Sequence, residues 1–354
     1  MALSVRSWAI AALIVLSFAS AATARHHHHR EKPTPSAPPM TGLQDDSGGG
    51  AQIIEPGRGT VSEGSREVTA GTGDFFVEPE AGIKPVVGAM EQARKSLNLV
   101  VYLLSDDRIV SALKRAKDRG VTVRVMVEPH PYGGGGGNGK TFDKLQRLGI
   151  PVRYTPHRFR YTHEKAFIVD HRVALISTGN FTRSAFSKNR EYGFFDRDPG
   201  DVKEIEALFD ADWADRPATP HQARLVVSPT NSRAKIVTLI RSARQSLFVQ
   251  DETCSDPEVI GAIADRQRAG VQVTVEVAEA RDLDKLQAAG IPAKQLQSHY
   301  LHAKTIVADD ARAYVGSENL TANSLDNNRE LGILLTDPAI LGQLTGVVRA
   351  DWDE

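Results

Sequence analysis

The sequence predicts an α/β fold of two tandem layered domains, each built on a mixed sheet and related to the other by a pseudo-two-fold axis. Length allows it: 354 residues, 41% hydrophobic and 25% charged, leave room for about two domains of ordinary size. Repetition requires it. Val77-Glu78-Pro79 matches Val227-Ser228-Pro229, Ala93-Arg94-Lys95-Ser96-Leu97 matches Ala243-Arg244-Gln245-Ser246-Leu247, and Gly120-Val121 matches Gly270-Val271, all at an offset of 150. Strand and helix patterns alternate within each copy, which supplies the class.

In copy one an amphipathic stretch at 86–94 leads to an apolar strand at 97–103, a helix at 109–119 and a β-branched strand at 121–127. A helix at 142–148 and strands at 166–169 and 173–177 follow. Asp143-Lys144-Leu145-Gln146 matches Asp284-Lys285-Leu286-Gln287 at offset 141, and Ala211-Asp212-Trp213 matches Ala350-Asp351-Trp352 at 139. Copy one therefore carries insertions of nine and two residues, and the domains are expected at 75–215 and 216–354. Trp213 and Trp352, at matching ends, are expected to anchor the core. Two long copies exclude a short-period solenoid.

Ahead of the repeat, residues 1–24 carry one base, Arg6, an apolar run of 12 residues at 8–19, and Ala22-Thr23-Ala24 as a small-x-small cleavage site. A spanning helix needs about 20 apolar residues, so a cleaved secretory signal is expected, with the mature chain secreted or periplasmic. Its removal takes the net charge from −1 to −2, since one base and no acid leave with it. A near-neutral chain of 43 bases and 44 acids excludes a bulk polycation that coats nucleic acid, so an anion site has to be local. Residues 25–74, rich in Pro, Gly and Ser, read as a disordered linker, and His26 to His29 within it receive no catalytic role. The single cysteine, Cys254, permits no intramolecular disulfide and is expected simply to pack.

One motif is a decoy. Gly134 to Thr141 fits the phosphate-loop pattern G-x-x-x-x-G-K-[ST], yet it falls in the nine-residue insertion, and a run of five glycines satisfies such a pattern almost automatically. A surface loop is the expected reading, with a flap near the active site or, as the lesser alternative, a nucleotide site as its functional options.

The chemistry sits elsewhere. Copy one reads His163-Glu164-Lys165-Ala166-Phe167-Ile168-Val169-Asp170 and copy two His302-Ala303-Lys304-Thr305-Ile306-Val307-Ala308-Asp309, both His-x-Lys-x4-Asp. Residues two apart on a strand share a face, so each copy is expected to project an imidazole and an ammonium into one pocket. A small polar turn follows at equal distance, Ser177-Thr178-Gly179-Asn180 and Gly316-Ser317-Glu318-Asn319. Then comes Asn-Arg-Glu, with Glu191 and Glu330 each 28 residues after the histidine. No metal or other cofactor is expected: there is no H-E-x-x-H, one cysteine only, and a lysine beside each histidine repels a divalent cation.

This duplicated pattern resembles the phospholipase D superfamily, over the whole chain after the linker. One departure is Ser177 where the family pattern has glycine. The resemblance implies two phospholipase D-like α/β sandwich domains and a catalytic set of His163, Lys165, Asp170, His302, Lys304 and Asp309. Thr178, Asn180, Glu191, Ser317, Asn319 and Glu330 would bind phosphate or orient the imidazoles, each glutamate reaching the histidine of the other copy. Asp170 and Asp309 end a strand at a turn, where a structural task is expected of them.

Two lysines and two asparagines converging on one point suit a phosphodiester, and a neutral imidazole is a competent nucleophile near pH 7. The resemblance implies that His163 attacks, forming a phosphohistidine, and that His302 protonates the leaving alcohol, while the near-identical surroundings of the two histidines leave the reverse assignment open. The expected substrate is a phospholipid headgroup at a membrane surface, hydrolysed or transferred. The alternative is a metal-independent nuclease on DNA or RNA backbone. Arg153 to Tyr161, which interleaves bases with aromatics, suits either a strand-tracking groove or a lipid interface. Complete motifs in both copies oppose a non-catalytic binding module, and both half-sites in one chain lead to an expected monomer.

Overall fold

The structure, a computed structural model, describes residues 73–132 and 137–354. The expected signal, almost all of the expected linker with His26 to His29, and Gly133 to Gly136 of the glycine run lie outside the described residues. Copy one runs β1 (Gly73–Glu78), α1 (Lys84–Gln92), β2 (Ser96–Val101), α2 (Asp107–Asp118), β3 (Thr122–Val127), α3 (Gly139–Arg147), β4 (Val152–Tyr154), β5 (Lys165–Val169), β6 (Val173–Ser177), β7 (Asn189–Asp196) and α4 (Pro199–Trp213). Copy two runs β8 (Leu225–Ser228), α5 (Ser232–Ser242), β9 (Ser246–Asp251), α6 (Pro257–Arg268), β10 (Gln272–Val277), α7 (Ala280–Ala288), β11 (Ala293–Gln295), β12 (Tyr300–Leu301), β13 (Lys304–Ala308), β14 (Arg312–Gly316), α8 (Ala322–Asp326), β15 (Glu330–Leu335) and α9 (Pro338–Asp353).

Each copy forms one mixed sheet, and the two sheets have the same topology. The strand orders are β1-β7-β6-β5-β2-β3-β4 and, read in the same sense, β8-β15-β14-β13-β9-β10-β11. The β2-β3-β4 and β9-β10-β11 ladders are parallel and the other pairings along these two orders antiparallel, while β12 of copy two adds to β7 in parallel. The predicted elements of copy one all appear, and the duplicated α/β architecture is as the repeat requires.

Both faces of each sheet are covered, which is why the central strands read as continuous apolar runs. In β2, Leu97, Leu99 and Val101 join α1 and α2 in an outer core, while Val100 faces the other way. That inner core is shared: Ile168, Ile176 and Phe194 of copy one meet Leu301, Val315 and Ile333 of copy two, closed by α4 and α9. Helix starts repeat as the strands do. Asp106 and Asp256 cap α2 and α6, and Asp198-Pro199 and Asp337-Pro338 open α4 and α9 with an accepting carboxylate and a proline where no N–H is needed.

The copies are fastened by an exchange that positions the site. The segment before each histidine adds itself to the Asn-Arg-Glu segment of the other copy: Tyr300 and Leu301 pair in parallel with Asn189 and Arg190, and Thr162 bridges to Arg329. His302 N–H donates to the Arg190 carbonyl at 3.3 Å and His163 N–H to the Arg329 carbonyl at 2.8 Å. Side chains cross as well. Arg190 forks onto Asp351 with two bonds of 2.9 Å, and Arg329 onto Asp212 at 2.8 and 3.0 Å, all four residues buried. Planar guanidinium and carboxylate suit this bidentate geometry.

Removing one partner of such a pair leaves an uncompensated buried charge. Arg190→Met, which leaves Asp351 with only the Gln250 amide as side-chain donor, is expected to lower stability by about 3–5 kcal/mol in urea denaturation. Adding Asp351→Leu to Arg190→Met is expected to recover part of the loss, and a single variant as stable as the parent would contradict the clasp.

Candidate active site

The exchanged segments bring the two His-x-Lys pairs together at the seam. β5 and β13 begin at the lysines, so each histidine stands two residues ahead of its strand. Lys165 and Lys304 are buried, and each ammonium donates to the carbonyl of its own histidine. Behind each imidazole lies the carboxylate of the other copy. His163 Nδ1 is 2.9 Å from Glu330, and His302 Nδ1 is 2.8 Å from Glu191. With Nδ1 engaged, Nε2 is the remaining ring nitrogen of each, that of His302 lying 3.5 Å from Glu252, and the imidazole side chains are 12% and 10% exposed over almost fully buried glutamates.

The glutamates are themselves held. Glu191 accepts from Thr178 Oγ1 at 2.7 Å and Asn189 Nδ2 at 3.2 Å, and Glu330 from Ser324 Oγ at 2.6 Å and Asn328 Nδ2 at 2.9 Å. Burial opposes their ionisation, but the facing imidazoles and the lysines outweigh it and hold both carboxyls below the usual range. A carboxylate fixed at Nδ1 sets the tautomer and the ring orientation.

The polar turns occupy matching places. Thr178 and Ser317 use their hydroxyls to accept the N–H groups of Tyr192 and Leu331, at 2.9 and 3.0 Å. Asn180 and Asn319 each leave the side-chain oxygen buried without a hydrogen-bond partner, at matching places in the two turns. Ser177 in place of glycine has a local explanation. At Gly316 a β-carbon would lie 2.4 Å from the Tyr314 hydroxyl and 2.5 Å from the Gly332 Cα. Copy one has Leu175 and Gly179 where copy two has Tyr314 and Glu318, so Ser177 fits and its Oγ accepts from Gly179 N–H at 3.0 Å.

Asp170 and Asp309 are not brought to the imidazoles, which corrects their place in the catalytic set. Each lies five residues past its lysine, roughly 16 Å along the strand at 3.3 Å per residue. Asp170 accepts from the backbone N–H groups of Arg94, Lys95 and Ser96, and Asp309 from those of Arg244, Gln245 and Ser246, each tying a helix–strand turn to the sheet. Both stand in the left-handed region, at φ 53° and 57°. Trp213 packs against the shared core and stacks on Phe209, as expected of it; it and Trp352 are half-buried, with Arg153 and Lys294 lying over their rings, and the residues before them, Asp212 and Asp351, do the interface work. In the basic-aromatic segment Arg153 donates to the Trp213 carbonyl and Arg158 pairs with Asp212 and Asp215, so two of its three arginines, though exposed, have partners within the chain. Cys254 is buried in the core of copy two.

Against this geometry, the family model described as "Cardiolipin synthase, PLD-like domain" matches residues 86–213 and again 236–352. The chain belongs to the phospholipase D superfamily. Cardiolipin synthase of Clostridium perfringens is 24% identical over 323 residues, covering 75% of this chain and 67% of that one. The mitochondrial cardiolipin hydrolase of Homo sapiens is 30% identical over 134 residues, covering 38% of this chain and 52% of its own length. Two solved structures share the fold. A polyphosphate kinase of Porphyromonas gingivalis has TM-score 0.66 at 20% identity, covering 80% of this chain while this chain spans 47% of it. A phosphatidylserine synthase of Haemophilus influenzae has TM-score 0.62 at 14% identity, covering 80% and 85%.

Sequence reading missed the supporting residues. Asp212 and Asp351 were visible as a repeated Asp-Trp, but nothing in the chain says that each serves the other copy's arginine. Ser324, which donates to Glu330, gave no signal, because copy one has Ala185 in its place.

Burial, with Lys165 and Lys304 adding to it, carries His163 down to about 4 against the pull of Glu330, so its imidazole is neutral at pH 7. Burial and then Lys304 bring Lys165 down to about 7. The charged ammonium therefore prevails below that pH and is lost above it. Calorimetric binding of sulfate, whose charge is constant there, is expected to weaken as pH rises through about 7, and to lose most of that dependence in Lys165→Met. Asp309→Ala, which removes the acceptor for three backbone N–H groups, is expected to cost about 1.5–3 kcal/mol in thermal or urea unfolding.

Proposed function

We propose that the chain is an exported phosphodiesterase that hydrolyses or transfers phospholipid headgroups through a phosphohistidine. The observation that carries this is the crossed pairing: two imidazoles, each fixed at Nδ1 by the other copy's carboxylate, keep Nε2 for chemistry beside two buried ammonium groups. Lys165 and Lys304 hold the phosphate and the charge that builds on its equatorial oxygens, with the Asn180 and Asn319 amides as further polar partners. The neutral imidazole of His163 attacks phosphorus through Nε2, the bond from phosphorus to the headgroup oxygen breaks, and His302 gives its Nε2 proton to that oxygen. Water, or an alcohol in transfer, then attacks the phosphohistidine and gives its proton to His302, which frees His163.

Lipid is favoured over nucleic acid on two grounds. Arg153 and Arg158 are tied to Trp213, Asp212 and Asp215, which weakens the case for a strand-tracking groove. The named activities of the cardiolipin synthase and cardiolipin hydrolase relatives concern phospholipid. Residues 1–24 support export, and both half-sites in one chain support a working monomer.

The test compares phosphatidylcholine vesicles with single- and double-stranded DNA, with EDTA present throughout. Headgroup release is expected in EDTA, and His163→Ala and His302→Ala are each expected to lose about a hundredfold or more, the range of acid–base and covalent contributions. Activity on DNA alone would replace the lipid reading with the nuclease. With a p-nitrophenyl phosphodiester, His302→Ala is expected to accumulate a phosphorylated His163, seen by intact mass after an alkaline quench. A clean spectrum from trapped wild type and both variants would remove the covalent step.

A further inference from the structure

The half-sites share imidazole, ammonium and backing carboxylate, so the position where they differ beside the reactive nitrogen is informative. Tyr102 and Glu252 are equivalent. Each directly follows a central strand, β2 or β9, and each donates its N–H to the residue between histidine and lysine, the Glu164 carbonyl at 3.1 Å and the Ala303 carbonyl at 3.2 Å. Tyr102 sets an aromatic ring edge-on to His163, centroids 4.5 Å apart, with Lys165 Nζ 5.3 Å from the ring. Glu252 sets a carboxylate there instead, 3.5 Å from His302 Nε2 and 3.0 Å from Lys304 Nζ, while its other oxygen accepts from Tyr300 Oη at 3.0 Å.

A carboxylate beside an anion cage repels the phosphate the cage must hold. Holding the lysine does not explain it, because Lys165 is held in the same setting by its histidine carbonyl and the Tyr102 ring, with no ion pair among the described residues. Burial opposes ionisation of Glu252, but the charges of His302 and Lys304 outweigh it and keep the carboxyl below the usual range. The group is therefore an anion, part-exposed at 19%, and while Oε2 meets both Lys304 and His302, Oε1 accepts from Tyr300 and has a second lone pair for an incoming donor.

We infer that Glu252 lines the subsite of the leaving or accepting alcohol and selects alcohols that carry an ammonium or a further hydroxyl. This rests on the phosphodiester reading above, in which the bond that breaks lies on the His302 side. There the alcohol oxygen receives the His302 proton, and an amino or hydroxyl group two carbons away comes within reach of the carboxylate. The Tyr102 side offers no such anion.

The experiment measures headgroup release from vesicles of one neutral carrier lipid doped with phosphatidylethanolamine, phosphatidylglycerol or phosphatidylmethanol. Methanol has no second polar group. In Glu252→Gln the ratio of kcat/KM for the ethanolamine lipid to that for the methanol lipid is expected to fall about ten- to a hundredfold, the size of a charge-assisted hydrogen bond. The glycerol lipid is expected to lose less, since the amide oxygen still accepts from a hydroxyl, and Glu252→Asp is expected to restore the ethanolamine preference. Equal losses on all three lipids, or unchanged ratios, would overturn the inference while leaving the phosphodiesterase in place. Wild type that releases none of the three headgroups would instead overturn the lipid reading itself, and the inference with it.

Discussion

Everything at this site depends on the parallel pairing by which the segment before each histidine joins the other copy's Asn-Arg-Glu strand. That ladder fixes register at the level of the backbone, before any side chain is considered. With His302 N–H on the Arg190 carbonyl, Glu191 is the next residue along and its carboxylate meets the imidazole; the same holds for His163, Arg329 and Glu330. Neither half-site is complete within its own copy. A chain that failed to dock its halves would present histidines with no carboxylate behind them.

Docking is secured by charges that would be costly alone. Arg190, Asp351, Arg329 and Asp212 are buried, and a buried ion pair offsets its desolvation only when geometry is good and remaining hydrogen bonds are filled. Here both forks are bidentate, Arg190 also donates to the Glu78 carbonyl, and Gln250 also donates to Asp351. Such a pair tolerates little displacement, whereas the apolar contacts of the shared core would allow sliding. The apolar core supplies adhesion and the crossed arginines supply register.

Duplication provides an internal control on each residue. Features present twice, such as the lysine donating to its own histidine carbonyl or the aspartate tying down three N–H groups, belong to the common frame. Features present once mark where the halves have separate tasks. Tyr102 opposite Glu252 is of that kind, and so is the exchange of Leu175, Ser177 and Gly179 for Tyr314, Gly316 and Glu318, in which steric demand moves between neighbours and the turn survives. The seam thereby has two chemically different sides, which the proposed reaction, with distinct attacking and leaving groups, needs.

Much of this was legible in the chain. Offsets of 150, 141 and 139 reveal two copies, period and composition place strands and helices, and the spacing of His, Lys, Asn and Glu marks the residues at the seam. These are local or repeated signals, readable because side-chain direction along a strand and helix-cap chemistry depend on near neighbours. What each residue touches across the seam was not readable. The end of a strand sends Asp170 to the backbone at 94–96, away from the imidazoles, although the motif counts it with them. Arg153 and Arg158 read as free bases until α4 brought Trp213 and Asp212 beside them. Glu252, unlike its counterpart in sequence, acquires a role only when β9 and β13 set it between His302 and Lys304. Sequence alone determined which chemistry the chain carries and how many times; the packing of one copy on the other decided which groups share a charge, because Coulomb and hydrogen-bond partners are chosen by distance in space.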